Sequence, residues 1–177
     1  LGSDWDIGAA TTEICENGTI IIQGNITIDG TLILRNVSLL MNSSDGFRNN
    51  INISSTGTFI LTNGTNISNT ALSGHVQSYS IHMYDAGSTP GKFYANDSTI
   101  SDFDNMTVYI DVASSGRINM TNVNITNSSW GIWYTTLVPT TLTNVTISNS
   151  VVGIFYQDSL GVSTPKLYTS NLVIDGS

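Results

Sequence analysis

Two carboxylates one residue apart, Asp102 and Asp104, are the closest thing in this sequence to a reacting pair. Residues i and i+2 of a strand share a face. Asp102-Phe103-Asp104 so read holds two acids side by side, as a glycosidase or a calcium site needs. Asp97 lies nearby, and Asp111 is placed on an adjacent edge. The plainer reading is a solvated acidic turn. It takes precedence here, so calcium at Asp102 and Asp104 is the single cofactor considered, and no catalytic residue is assigned. His75 and His82 do not stand at metal-ligand spacing, and no Gly-x-Ser-x-Gly elbow, phosphate loop or cysteine metal motif occurs. Cys15 is the lone cysteine, which excludes an internal disulfide. It reads first as a small buried hydrophobe and second as an intermolecular bridge.

A second chemistry is carried by asparagine. Asn-x-Ser/Thr triplets start at thirteen positions: Asn17, Asn25, Asn36, Asn42, Asn52, Asn63, Asn66, Asn96, Asn105, Asn119, Asn124, Asn127 and Asn144. In a chain rich in all three residue types some triplets arise by chance. The density still points to an extracellular glycoprotein that carries N-linked glycans. The alternative is that Asn and Thr serve the backbone and bear no sugar.

Charge narrows the partners. Charged residues make up 10% of the chain and the formal net charge is −8. The five basic residues, Arg35, Arg48, Lys92, Arg117 and Lys166, are scattered. A nucleic-acid reader needs a basic stripe against phosphate, so nucleic acid is excluded as a partner, and docking on anionic lipid is disfavoured. No run of 18 apolar residues occurs, so membrane insertion is not expected.

The elements that would position these groups come from a repeat. Arg117–Asn127 and Thr141–Asn149 are its clearest copies, with Thr31–Leu39 and Leu167–Asp175 close behind, and 58–69 and 92–102 as degenerate ones. Each has an alternating stretch, an Asn, an apolar-x-apolar step, then Asn or Asp. Anchoring on the central Asn gives Asn36, Asn63, Asn96, Asn122, Asn144 and Asn171, spaced 27, 33, 26, 22 and 27 residues apart. A period in the twenties with strand alternation predicts an all-β right-handed parallel β-helix of about six coils. Leucine-rich repeats share the period but need a frame absent here, and a β-sandwich keeps no repeating register. A shorter stretch precedes each unit: Ile51-Asn-Ile53, Ile81-His-Met83, Val108-Tyr-Ile110, Ile132-Trp-Tyr134 and Ile154-Phe-Tyr156. Gly131 and Gly153 stand before the last two as corner residues.

Alternation then assigns faces. Val123, Ile125, Val145, Ile147, Leu172 and Ile174 are predicted to stack inside. The central Asn is predicted at a bend, stacked as an amide ladder. On that reading Asn36, Asn96 and Asn144 are poor sugar acceptors, whereas Asn52, Asn119 and Asn124 point to solvent and are good ones. His82, Tyr109, Trp133 and Phe155, spaced 27, 24 and 22 residues apart, are predicted to form an outward stripe for sugar stacking or a protein interface. Residues 1–16, with Trp5–Ile7, are expected to cap the stack or to exchange a strand with a neighbour, and 17–177 to form the β-helix. The last strand pattern is followed by no recognisable cap, which suggests pairing with another molecule or further coils.

The segment from Asn17 to Asn42 resembles the opening coils of secreted archaeal cell-surface right-handed β-helix proteins. That group is similar in repeat style to carbohydrate-binding and sugar-hydrolase β-helices. The resemblance implies a surface location and the fold, and little about activity. Polysaccharide-cleaving relatives of that style back their acids with Lys, Arg or His on neighbouring coils, whereas the basic residues here fall elsewhere. The expectation is a glycosylated structural protein that self-assembles head to tail or laterally into a filament or coat. A carbohydrate-binding module is second, and a polysaccharide lyase or hydrolase third.

Overall fold

The computed structural model describes residues 4–42, 49–69, 79–83, 91–108, 117–135, 140–157 and 167–176, with the backbone alone for 103–108, 117, 133–135, 156 and 157. These residues are all-β. The chain alternates between two sheets. The first sheet holds β1 (Trp5–Ile7), β3 (Ile26–Ile28), β5 (Asn50–Ile53), β8 (Tyr79–Met83), β10 (Phe103–Val108), β12 (Trp130–Thr135) and β14 (Val152–Gln157), bonded in that order. The second holds β2 (Thr12–Ile22), β4 (Thr31–Met41), β6 (Thr58–Thr62) with β7 (Asn66–Asn69), β9 (Lys92–Ser101), β11 (Arg117–Thr126), β13 (Thr140–Ser148) and β15 (Leu167–Asp175). Every pairing between them is parallel.

Each sheet thus has seven levels, with β6 and β7 sharing one, where the repeat anchors count six. The added level is that of β2, whose bend at Asn17 lies outside the repeat units. β2 also runs through residues 16 and 17 unbroken, and Trp5–Ile7 pairs in register with Ile26–Ile28. At strand spacing seven levels stack over roughly 29 Å.

The long strands of the second sheet bend once, at a residue of positive φ: Asn17, Asn36, Asn63, Asp97, Asn122, Asn144 and Asn171, with φ between 48° and 58°. The left-handed region is costly for L residues, and Asn and Asp bear it best. Register corrects one anchor. Asn96 faces Thr121 and Ser98 faces Val123, so Asp97, not Asn96, stands opposite Asn122. Amides stack across the bends. Asn36 Nδ2 donates to Asn17 Oδ1 (2.9 Å), Asn122 Nδ2 to Asp97 Oδ1 (2.7 Å) and Asn144 Nδ2 to Asn122 Oδ1 (2.8 Å). Each bond runs from the later level to the earlier. A carboxylate has no proton to pass on, so Asp97 ends the run from Asn144; its other oxygen accepts from Asn96 Nδ2 (2.7 Å).

A second set of left-handed bends closes the same strands at Asp102, Asn127 and Asn149. Asn127 Nδ2 donates to Asp102 Oδ1 (3.1 Å) and Asn149 Nδ2 to Asn127 Oδ1 (3.4 Å). Again the chain of donors ends on an Asp of β9.

Apolar side chains from both sheets fill one core. Val123, Ile125, Val145 and Ile147 are fully buried in adjacent rows, as alternation requires. Leu172 and Ile174 continue those rows in register on β15, the outermost strand of the sheet, where Ile174 is 52% exposed. Phe59 and Phe93 meet inside at 5.6 Å between centroids. At Gly131 a Cβ would collide with the carbonyl oxygen of Gly153 and the side chain of Ile147, so this corner excludes any larger residue.

Candidate functional site

Outward side chains and bends, rather than a cleft, carry the candidate groups. The acids come first. Asp102 is not in a strand but in the left-handed bend after β9 (φ 58°), so it and Asp104 do not share a strand face. Its two oxygens are already used: Oδ1 accepts from Asn127, and Oδ2 accepts from Ser101 Oγ at 2.9 Å. The Asp104 side chain lies outside the described residues, as does Asp111. Among the described residues no group of three or more His, Cys, Asp or Glu side chains converges. Asp102 is thereby accounted for as the acceptor end of a ladder.

The outward row of the first sheet is built by register. Asp6, Thr27, Asn52, His82, Thr107, Trp133 and Phe155 follow one another across it. Three of the four stripe residues are therefore in one row, with Thr107 between His82 and Trp133. Thr107 stands where Tyr109 was expected, and Tyr109 itself lies outside the described residues. The cause is a two-residue shift: Met106, not Val108, pairs with Ile81, and a bulge between Asn105 and Thr107 re-aligns β10 with β12. Both Met-Thr-Val and Val-Tyr-Ile satisfy a period of two, so alternation alone does not choose between them. His82 is half-buried, and burial lowers its pKa below the usual 6.5. Phe155 is also half-buried and packs edge-to-face with Trp130, 5.2 Å between centroids at 86°.

The asparagines of the triplets fall into three settings. Asn17, Asn36, Asn63, Asn127 and Asn144 occupy the left-handed bends, and all of these but Asn63 share amide bonds with neighbouring levels. Asn25, Asn42, Asn52, Asn66 and Asn96 are half-buried. Asn25 Oδ1 accepts the backbone N–H of Asn50 at 2.9 Å, and the carbonyl of Asn42 accepts from Asn49 Nδ2. Asn52 departs from expectation: its Oδ1 is buried without a hydrogen bond, as is that of Asn66. Outward parity on the first sheet leaves it half-buried, with Oδ1 out of solvent. Asn119 and Asn124 form the third setting. Both are exposed on β11 and neither amide makes a hydrogen bond. The side chain of Asn105 lies outside the described residues.

Sequence reading passed over an outward row of the second sheet. Ile14, Ile33, Ile60, Tyr94, Asn119, Thr141 and Tyr168 are in register, with Ile14 50% and Tyr168 58% exposed. Parity within the recognised repeats contained this row. It was obscured because its members change from aliphatic to polar along the stack. The second ladder was signalled too, by the Asn or Asp that ends each repeat.

No family model matches the chain, no curated protein matches it, and no solved structure matches it.

Proposed function

We propose that this chain is a right-handed parallel β-helix acting as a glycosylated extracellular structural protein of archaeal cell-surface type, which joins copies of itself into a filament or coat. The observation that carries the reading is the pair of directional amide ladders on parallel, registered strands. Parallel crossovers within a sheet are right-handed in nearly all proteins, which supplies the hand. A parallel sheet is extended by any further strand in register, and the rungs at Asn122 and Asn144 favour one direction of stacking, so the architecture suits end-to-end growth. The sequence triplets support glycosylation, and the sparse charge suits a scaffold better than a reader of charged ligands.

Negative-stain microscopy of native, untagged protein tests assembly. Ordered polymers without added ligand are the expected result. A strictly monomeric protein at high concentration would refute self-assembly.

A carbohydrate-binding module is the second reading. It draws on the aromatic members of the outward rows, Trp133 and Phe155 on one sheet and Tyr94 and Tyr168 on the other. Glycan titration followed by tryptophan fluorescence separates it from the first, because a module of this kind stays monomeric and binds saturably.

A further inference from the structure

Among the triplet asparagines with described side chains, two combine an exposed, free Nδ2 with regular extended backbone; Asn17 and Asn63 also have such an amide but stand at left-handed bends. Asn119 and Asn124 are exposed and their amides are not engaged, whereas the others sit in ladders, are half-buried or stand at a bend. We infer that Asn119 and Asn124, both on β11, are the principal N-glycan acceptors among the triplets with described side chains; this rests on the proposed secreted-glycoprotein reading.

The geometry works residue by residue. In Asn119-Met120-Thr121 and Asn124-Ile125-Thr126 alternation sends the middle residue into the core, where Met120 and Ile125 are fully buried. Asn and Thr of each triplet then face outward together. The outward neighbours of Asn119 are Tyr94 and Thr141, and those of Asn124 are Thr99 and Thr146. The threonine neighbours are short and leave room above the sheet, and Tyr94 flanks Asn119 on one side. The left-handed bend at Asn122 separates the two triplets, so the two sugars leave different facets of the same strand. A ladder asparagine is in a different position. Asn144 donates through Nδ2 to Asn122 at 2.8 Å. A sugar there replaces one of the two amide hydrogens and stands against a neighbour stacked at ~4.8 Å.

The strand also dates the reaction. β11 is paired on one side with β9 and on the other with β13, so its backbone groups are taken once the sheet forms. An enzyme that grips the extended triplet through its backbone must act before this strand is paired, and the finished sheet then favours the sugars that it accommodates without losing a rung. The new bond joins Nδ2 to the anomeric carbon, the amide loses one proton, and the lipid-linked phosphate of the glycosyl donor departs.

The test uses the full chain secreted from a host that N-glycosylates, with site occupancy read by intact-glycopeptide mass spectrometry. Occupancy at Asn119 and Asn124 is expected to exceed that at Asn17, Asn36 and Asn144 several-fold. Thr121→Val and Asn124→Gln should each remove one glycan mass while leaving the melting curve cooperative. Sugar on the bend asparagines with Asn119 and Asn124 bare overturns the assignment and leaves the glycoprotein reading intact. No sugar at any triplet overturns both. Transfer to already folded, unglycosylated protein at the same rate as to its unfolded peptide would overturn the proposed order of events.

Discussion

At Asn17, Asn36, Asp97, Asn122 and Asn144 a single residue carries two duties, a strained backbone angle and a rung of the ladder. Asn122 shows how to separate them. Its φ is 54°, it donates to Asp97 and accepts from Asn144. Alanine removes the rung and leaves the backbone strained. Glycine removes the rung and relieves the strain. Asn122→Ala should therefore cost about 1 kcal/mol more than Asn122→Gly, the reverse of the usual penalty for Gly in a strand. Urea unfolding of both variants measures the difference. Sequence reading places this bend and five of its kind at or within one residue of their positions, because Asn recurs with the period, and leaves out the bend at Asn17. It missed by one residue at Asn96, because Asn-Asp offers two residues that tolerate the same angle and only the register with Asn122 selects Asp97. His82 gives a pH test at the same scale. Burial lowers its pKa in the folded state, so the unfolded chain binds the proton more tightly. The contribution is fully present above the unfolded value near 6.5 and is lost as pH falls through the lower folded value. The melting temperature should fall as pH is lowered below about 6.5, and His82→Gln should flatten that slope.

Between elements, the two sheets are joined by packing, by Trp5 Nε1 of β1 donating to Glu13 Oε2 of β2 (3.1 Å), and by a buried hydroxyl. Tyr79 of β8 is fully buried, and its OH points at the carbonyls of Ile67 in β7 (3.2 Å) and Ser101 in β9 (3.1 Å). Its hydrogen thus serves two strands of the opposite sheet. Tyr79→Phe keeps the ring and removes the donor, leaving buried carbonyls short of a partner. A loss of about 1–3 kcal/mol is expected by chemical denaturation, with the fold retained. Alternation gave strand existence and face for most elements, since Val123, Ile125, Val145 and Ile147 are buried as the period demands. It failed where one residue is added. β4 reaches Ser38 three residues after Arg35, whereas the partner positions Thr62 and Asn66 are four apart, and Gly64 (φ 81°) absorbs the difference. A bulge shifts register without disturbing composition, which is also why β10 was aligned two residues away from its partners.

Taken whole, the molecule is held by apolar rows and amide bonds, with few charges. The ion pair among the described residues is Arg35 with Glu16, 2.6 Å apart, with side chains 42% and 48% exposed. Pairs of that exposure contribute about 0–1 kcal/mol. Raising ionic strength from about 0.05 to 0.5 M should therefore change unfolding free energy by less than about 1 kcal/mol, with the small gain coming from screening of net negative charge. Denaturant titrations at both salt levels decide it. The parallel two-sheet architecture was legible at this scale because the repeat survives insertions. The meaning of the triplets was less so. A strand whose exterior is amide and hydroxyl and whose interior is apolar spells Asn-apolar-Thr of itself, so the triplet count is not independent of the fold. Exposure is shared by the bend asparagines Asn17, Asn36, Asn63, Asn127 and Asn144; what separates Asn119 and Asn124 is exposure on a regular extended strand with no side-chain hydrogen bond, and the bonds of the others are a property of three dimensions.

The ladders also bear on how the protein ages. Asparagine followed by glycine is the dipeptide most open to spontaneous loss of ammonia, because no side chain shields the attacking backbone nitrogen. Two such pairs occur at the bends, Asn17-Gly18 and Asn63-Gly64. Conversion to aspartate keeps the acceptor oxygens and abolishes the donor. Asn17 only accepts, from Asn36, and Asn63 makes no side-chain hydrogen bond. At both rungs the ladder does not use what deamidation takes away. At Asn122 or Asn144, which must donate, valine follows instead of glycine. Chemical wear thus falls first where no donor is in use, and a long-lived sample should accumulate aspartate and isoaspartate at 17, and more slowly at 63 where the Gly64 N–H is held by the Asp97 carbonyl (2.6 Å), before 122 or 144.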